Sequence, residues 1–172
     1  MPIYVSPEWA RSAYSVGALM TPAATATDIF IIRGSATKII RVTRVEVVIS
    51  ATAAGVVDVL IKKHTIANTA GTSAAAVPTL HDSNDPPTPA ATLLQYSANP
   101  TVDASATVIR ASKAGISAAS GMDVLAWTFG DRWVKPIALR GIAQELAINL
   151  NGDALLAGEL IAYSVEWFED NQ

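Results

Sequence analysis

Short runs of β-branched residues, broken by glycine and by small polar clusters, dominate the chain from Asp28 onward. Such runs are typical of strands. The connections between them lack the sustained 3.6-residue periodicity of crossover helices, which disfavours a parallel α/β fold. We therefore predict an all-β fold, a jelly-roll-type antiparallel β-sandwich of eight or nine strands. The predicted strands are residues 28–33, 38–50, 57–62, 93–97, 107–112, 122–129, 135–140, 144–150 and 159–168.

The alternation also predicts two local features early in the domain. Ile40 and Val42 share one face of the second predicted strand. Val45 and the alternate apolar residues after it have the opposite parity, which implies a bulge or a bend within this strand. The small turn at residues 53–55 then predicts a hairpin with the next strand.

The amino-terminal stretch carries a helix signal instead. Residues 6–9 (SPEW) combine an N-cap serine, a proline at the first helical position and an acid in the first turn. They predict a short helix that ends near Val16. The small and polar residues 21–27 are typical of an extended connector. We therefore divide the chain into an N-terminal arm, residues 1–26, and a β-sandwich domain, residues 27–172.

A long polar segment, residues 65–92, interrupts the strands and includes HDSNDPPTP at residues 81–89. Loops of this length are unusual inside a compact domain, and they carry function or cover a neighbour. The histidine and carboxylates at its centre are a conceivable divalent cation site. A loop rich in Asx turns explains them better, because the segment lacks the ligand periodicity and the glycine of an EF-hand loop.

Composition narrows the range of partners. Charged residues make up 16% of the chain and the net charge is −3, so it has no general attraction to nucleic acid or to anionic membranes. No stretch approaches the roughly 18 apolar residues of a membrane span, and no secretory signal precedes the strands. Cysteine is absent, which excludes disulfides and thiolate chemistry. A surface rich in Ala, Thr and Ser suits packing against another protein.

The residue types and spacings of an active site are missing. His64 follows two lysines at the end of a strand and is interpreted as a surface histidine. No serine lies in a nucleophile elbow, and neither a Walker loop nor a dinucleotide fingerprint occurs. The acidic clusters lie in the tail and in a loop, where solvation explains them. We therefore predict no enzyme activity, no cofactor, and no catalytic or metal-ligating residue.

Contact with another protein is the role that remains, and the arm and the polar loop are its candidate elements. Trp9 has no partner within the chain that the sequence can assign. It either packs back onto its own sandwich or anchors in a neighbour's pocket. The predicted partner-binding residues are Tyr4, Trp9, Tyr14, His81, Asp82 and Asp85.

Several phrases of the sequence resemble a known class of proteins. They are DIFIIRGSATKIIRVTR at residues 28–44, HDSNDPPTPAAT at residues 81–92, YSANPT at residues 96–101, RGIAQELAINLNG at residues 140–152 and VEWFED at residues 165–170. Together they resemble structural proteins encoded in the virion modules of tailed bacteriophages. The class is similar to the small jelly-roll decoration, or cement, proteins that sit on phage heads and tie major capsid subunits together.

The resemblance implies a protein of the capsid exterior, made in the host cytoplasm, that binds the major capsid protein. It implies a homo-oligomer, for which we favour a trimer over a dimer, with the arm and the 65–92 loop reaching over neighbouring subunits. Many weak contacts would then add through multivalency. Two alternatives stay open: a head-fibre base, neck or tail component of the same particle, and a carbohydrate-binding jelly-roll module.

Overall fold

The computed structural model describes residues 11–117, 121–131 and 134–171. These residues form twelve strands and no helix, which confirms the predicted all-β fold. The strands are β1 (Ser12–Met20), β2 (Asp28–Arg33), β3 (Lys38–Ala51), β4 (Gly55–His64), β5 (Thr72–Ala75), β6 (Thr79–Leu80), β7 (Thr92–Ala98), β8 (Thr107–Ile116), β9 (Gly121–Thr128), β10 (Ile137–Leu139), β11 (Glu145–Asn149) and β12 (Leu160–Asn171).

The strands form two antiparallel sheets that enclose one large core. Sheet A has the order β6-β1-β12-β3, and the far edge of β3 pairs with both β9 and β10. Sheet B has the order β5-β7-β2-β11-β4-β8. Inward side chains of both sheets pack between them, including the rings of Phe30 and Tyr163, whose centroids lie 4.7 Å apart. The predicted antiparallel sandwich is therefore present.

The pairing between strands is nested. β1 pairs with β12, β2 with β11, β3 with β9 and β4 with β8. The first half of the chain thus runs against the second half in reverse order, and successive pairs alternate between sheets A and B. Strands β5 to β7 belong to an insertion between β4 and β8, and β10 lies between β9 and β11.

The parity change predicted within β3 is a bulge. Val42 and Arg44 pair with successive residues of β12, so Thr43 is an extra residue in β3. The apolar residues on both sides of the bulge face the core, as Ile40 and Val45 do. The extra residue therefore keeps the buried face continuous while the strand bends.

The hairpin predicted after β3 is wrong. β3 lies in sheet A and β4 lies in sheet B, so the short turn between them carries the chain from one sheet to the other. Alternation specifies a buried face, but it does not specify which sheet supplies it. All nine predicted strands are present, and β1, β5 and β6 are additional.

The predicted N-terminal helix is wrong over the residues that the structure describes. β1 pairs with β12 along all nine of its residues, and Tyr14, Val16 and Met20 face the core. Helix propensity and capping are weak terms, and this pairing and burial outweigh them. Residues 6–10 lie outside the described ranges. From β1 on, the predicted arm is a strand of the sandwich rather than an appendage.

Candidate functional site

Of the three predicted contact residues in the arm, Tyr14 is the one that the structure describes. Tyr4 and Trp9 lie outside the described residues. Tyr14 lies in the core, where its ring stacks on Trp167 with 5.6 Å between the centroids. Its hydroxyl donates to the carbonyl of Pro86 at 3.0 Å. The prediction that Tyr14 contacts a partner is therefore wrong in this fold, because its ring is closed off inside the sandwich.

Residues 81–91, which we name the proline loop, are fastened along the edge of β1. The backbone N–H of His81 donates to the carbonyl of Ala13 at 3.0 Å, and the N–H of Ala13 donates to the Asp85 carboxylate at 2.9 Å. Asp85 thus takes the place of a strand partner. The structure brings Tyr14, His81 and Asp85 together, but Tyr14 and Asp85 act there as supports of the loop.

Asp82 forms an Asx turn at the tip of the proline loop. Its Oδ1 accepts hydrogen bonds from the backbone N–H of Asn84 at 2.9 Å and from the Asn84 amide at 3.0 Å. This geometry agrees with the Asx-turn interpretation of the segment. Across the described ranges, no group of three or more His, Asp and Glu side chains is placed to hold a metal ion. The side chains of His81 and Asp82 are exposed.

The other end of the proline loop is fastened by Glu169 of β12. Its carboxylate accepts hydrogen bonds from the N–H groups of Ala90 and Ala91 at 3.0 and 3.1 Å, and from the Trp167 indole at 3.3 Å. Glu169 is buried, so these charge-assisted bonds are shielded from water and are strong. The proline loop is therefore held in place at both ends.

An apolar groove, which we name the proline groove, lies between the proline loop and the edge of sheet B. Its volume is about 340 Å³, and proline, alanine, leucine and threonine side chains line it. No lining residue is charged. The fixed φ of the prolines and the fastened loop preorganise this surface, so a partner that docks here spends little free energy on ordering it. Its exposed lining residues include Ala75 and Thr88.

A second apolar surface lies on the outer face of sheet A. We name it the sheet A patch; its residues are Leu19, Val48, Met122, Val124, Leu160 and Ala162. Four of these side chains are strongly exposed: Leu19 at 71%, Met122 at 67%, Val124 at 51% and Leu160 at 40%. Contiguous exposed apolar area of this kind marks a contact surface more often than isolated apolar residues do.

The strand register makes the sheet A patch continuous. Leu19 on β1 lies beside Ala162 on β12. On β3, Val48 lies between Ala162 and Val124 of β9. These residues form one row across four strands, about 5 Å from strand to strand. Leu160 and Met122 lie on either side of Ser50 in the next row.

The opposite end of the same face is charged. Arg44 of β3 forms ion pairs with Glu46 at 2.5 Å and with Glu166 of β12 at 3.5 Å. All three side chains are partly exposed, at 44%, 29% and 36%. The outer face of sheet A therefore has an apolar end and a charged end.

A buried polar cluster lies on the outer side of sheet B, and it overturns the prediction that His64 is a surface residue. His64 is fully buried between two buried carboxylates. Its Nε2 lies 3.5 Å from Asp28 and its Nδ1 lies 3.5 Å from Glu145. The side chain has the outward parity expected of β4, but the next segment covers it: Asn68 donates to both carboxylates, at 2.6 Å to Asp28 and 3.0 Å to Glu145.

The charges of this cluster balance when His64 is protonated. Burial lowers the pKa of His64, but the nearby carboxylates of Glu145 and Asp28 outweigh this effect, so the pKa is raised. Burial raises the pKa of Glu145, but the nearby His64 ring and the hydrogen bonds from Asn68 and Arg33 have the larger opposite effect, so the pKa is lowered. Arg33 binds Glu145 at 2.6 Å. Arg33 and a protonated His64 would thus balance the carboxylates of Glu145 and Asp28.

The cluster as it stands supports the fold. His64, Asp28 and Glu145 are each at most 1% exposed, so no reactant can reach them without opening the cover. The sequence contains a weak sign of the cluster: Asp28 and Glu145 are carboxylates that each precede an apolar run, residues 29–32 and 146–148. In the register, β11 lies between β4 and β2.

The fold is a two-sheet all-β sandwich that carries two exposed apolar surfaces, the proline groove and the sheet A patch. Compared with protein-family models, curated proteins and solved structures, the sequence gives no match. No helix of the described residues is long and apolar enough to cross a bilayer.

Proposed function

We propose that this chain is a structural virion protein of a tailed bacteriophage that binds and stabilises the capsid shell as a decoration protein. The proline groove carries the proposal, because it is an exposed, uncharged and preorganised surface built from the long insertion of the sandwich. Such a surface suits permanent contact with a regular protein lattice better than it suits turnover of a substrate.

The strand order supports the jelly-roll part of the proposal. Strands β1-β12-β3-β9 of sheet A face β2-β11-β4-β8 of sheet B. These eight strands follow the nested order of a double Greek-key sandwich, an architecture that viral capsid and lectin domains share. A fold alone does not establish a function, so the resemblance to virion proteins and the groove supply the rest.

A glycan-binding role is less well supported. Sugar platforms of jelly-roll domains are built from exposed aromatic rings, and the exposed large apolar side chains of the described residues are all aliphatic. Contact with the major capsid protein therefore remains the function we propose.

Binding of the purified protein to shells that lack it tests the proposal. Ala75→Glu places a charge in the proline groove, and docking of an apolar surface would then desolvate that charge; we expect affinity to fall at least about tenfold. Ala74→Glu is the matched control, because Ala74 is the exposed neighbour on the same strand and does not line the groove.

Electron microscopy of particles with and without the protein locates it. Density over the whole shell lattice is the expected result. Density confined to one vertex, the neck or the tail would contradict a decoration role and would favour a head-fibre base, neck or tail component. If Ala75→Glu and Ala74→Glu bind shells with equal affinity, the proline groove is not the contact surface.

A further inference from the structure

We propose that the outer face of sheet A is a self-association surface, on which two copies of this chain pack about a two-fold axis that runs parallel to the strands between β12 and β3. This inference does not rest on the proposed decoration function. It rests on the sheet A patch, on the charged end of the same face and on the register that relates them.

The first observation is that the patch lies bare among the described residues. Leu19 and Met122 expose about two-thirds or more of their side chains, at 71% and 67%. The outer face of sheet B, in contrast, is covered where it carries the buried cluster. A sheet face with this much apolar surface gains free energy when a partner removes it from water.

The second observation is that Arg44 and Glu166 are placed to complement each other across a two-fold axis. A two-fold axis between β12 and β3 places β12 of one copy opposite β3 of the other. Because the axis is parallel to the strands, each residue row faces the same row of the second copy. Because Arg44 and Glu166 are register partners in one row, each Arg44 then lies opposite the Glu166 of the second copy. The apolar end meets the apolar end, with Leu19 opposite Val124. A two-fold axis perpendicular to the strands would instead place β3 opposite β3 and β12 opposite β12. Arg44 would then not face the strand that carries Glu166.

The third observation is that small residues separate the two ends. The row between the patch and the Arg44–Glu166 row contains Gly17, Ser164, Ala126 and the charged Glu46, which pairs with Arg44 of its own chain. Three of these have small side chains or none, so two sheets can approach to the roughly 10 Å of face-to-face packing with their usual modest rotation.

The size of the surface sets the expected strength. Four strands and the six residue steps from Arg44 to Ser50 cover about 20 Å by 20 Å, or about 400 Å² per copy. This is roughly half of the area that a standard stable interface buries on each partner. We therefore expect a weak, concentration-dependent dimer, which differs from the trimer that the resemblance implies.

Sedimentation velocity of the full chain over a range of concentrations tests the inference. We expect a monomer–dimer equilibrium. Val124→Asp should raise the dimer dissociation constant at least about tenfold, because the new carboxylate is desolvated in the pair. Val108→Asp is the matched control: Val108 has the same 51% exposure as Val124 but lies on β8 of sheet B. Circular dichroism checks that both variants are folded.

A charge exchange tests the geometry. Arg44→Glu and Glu166→Arg each place like charges opposite one another in a homodimer, so each variant alone should be monomeric. In an equimolar mixture both contacts between the two variants become attractive, and a heterodimer should form.

Several results would overturn the inference. They are a monomer at all concentrations, a closed trimer, a dimer that Val124→Asp leaves unchanged, and a charge-exchange mixture that stays monomeric. A monomer whose binding to shells is lost in Val124→Asp would assign the patch to the capsid instead. That outcome would leave the proposed decoration function intact.

Discussion

Glu145→Gln tests whether the buried cluster on sheet B acts as an electrostatic unit. The change keeps the shape of the side chain but replaces one carboxylate oxygen by an amide donor. In the fold, Oε1 accepts from Arg33 at 2.6 Å and Oε2 accepts from the N–H of Asn68 at 3.0 Å. Either orientation of the amide therefore sets donor against donor, and His64 loses one of its two carboxylates.

The structure sets the size of the effect. Removing one partner of a buried ion pair costs about 3–5 kcal/mol, because the remaining charge stays buried without compensation. Arg33 is 24% exposed, and water relieves part of that loss, so we expect a decrease of about 3 kcal/mol in the free energy of unfolding. In a domain of this size that corresponds to a Tm about 6–12 °C lower.

Urea unfolding followed by tryptophan fluorescence measures the free energy, and circular dichroism measures Tm. Glu46→Gln is the matched control, because it makes the same chemical change in a partly exposed pair with Arg44. Exposed pairs contribute no more than about 1 kcal/mol. Equal losses in the two variants would refute the electrostatic role of the cluster.

Two further predictions concern His64 and two glycines. Because the pKa of His64 is raised above its ordinary 6.5, its contribution to stability is complete below pH 6.5 and is lost as pH rises through the raised value. His64→Gln should abolish that fall in a pH series of urea unfolding, and an unchanged profile would count against it. Gly71→Ala should destabilise by about 1–3 kcal/mol more than Gly141→Ala. Both glycines have positive φ, but a Cβ at Gly71 meets the backbone of Ala98 at 2.9 Å, whereas none lies within 4 Å at Gly141. Similar losses at both glycines, again by urea unfolding, would contradict this reasoning.

The strands and the bulge of β3 were predictable because their signals are local. Every second residue of a half-buried strand is apolar, and the extra residue at Thr43 shifts that alternation by one position. The alternation does not reveal the partner of each strand. The turn after β3 therefore resembled a hairpin, although the chain passes there to the other sheet.

β1 was missed because a local signal conflicted with a distant one. The capping sequence at residues 6–9 favours a helix, but Ser12–Met20 gains a full ladder with β12, about 150 residues away in the chain. Nothing local to β1 indicates that ladder. The same pairing turns Tyr14 from a predicted contact residue into a core residue.

His64 was misassigned for a related reason. Its parity in β4 was consistent with an outward side chain, and it does point away from the main core. The sequence does not show that Asn68 and its neighbours fold over that side of sheet B and bring Asp28 and Glu145 to the ring. Likewise, Leu19 and Val124 are unremarkable until the register places them in one row.

The two apolar surfaces can act together because they use different sides of the molecule. The proline groove lies by the edge of sheet B, and the sheet A patch lies on the outer face of sheet A, so a two-fold pair carries two free grooves. Two weak groove contacts then bind a lattice more tightly than one, through effective concentration. Val124→Asp should accordingly weaken binding to shells although its groove is intact, whereas Ala75→Glu should weaken it without changing the sedimentation behaviour. If Val124→Asp abolishes dimers and still binds shells with wild-type affinity, pairing contributes nothing to assembly and the two surfaces are independent.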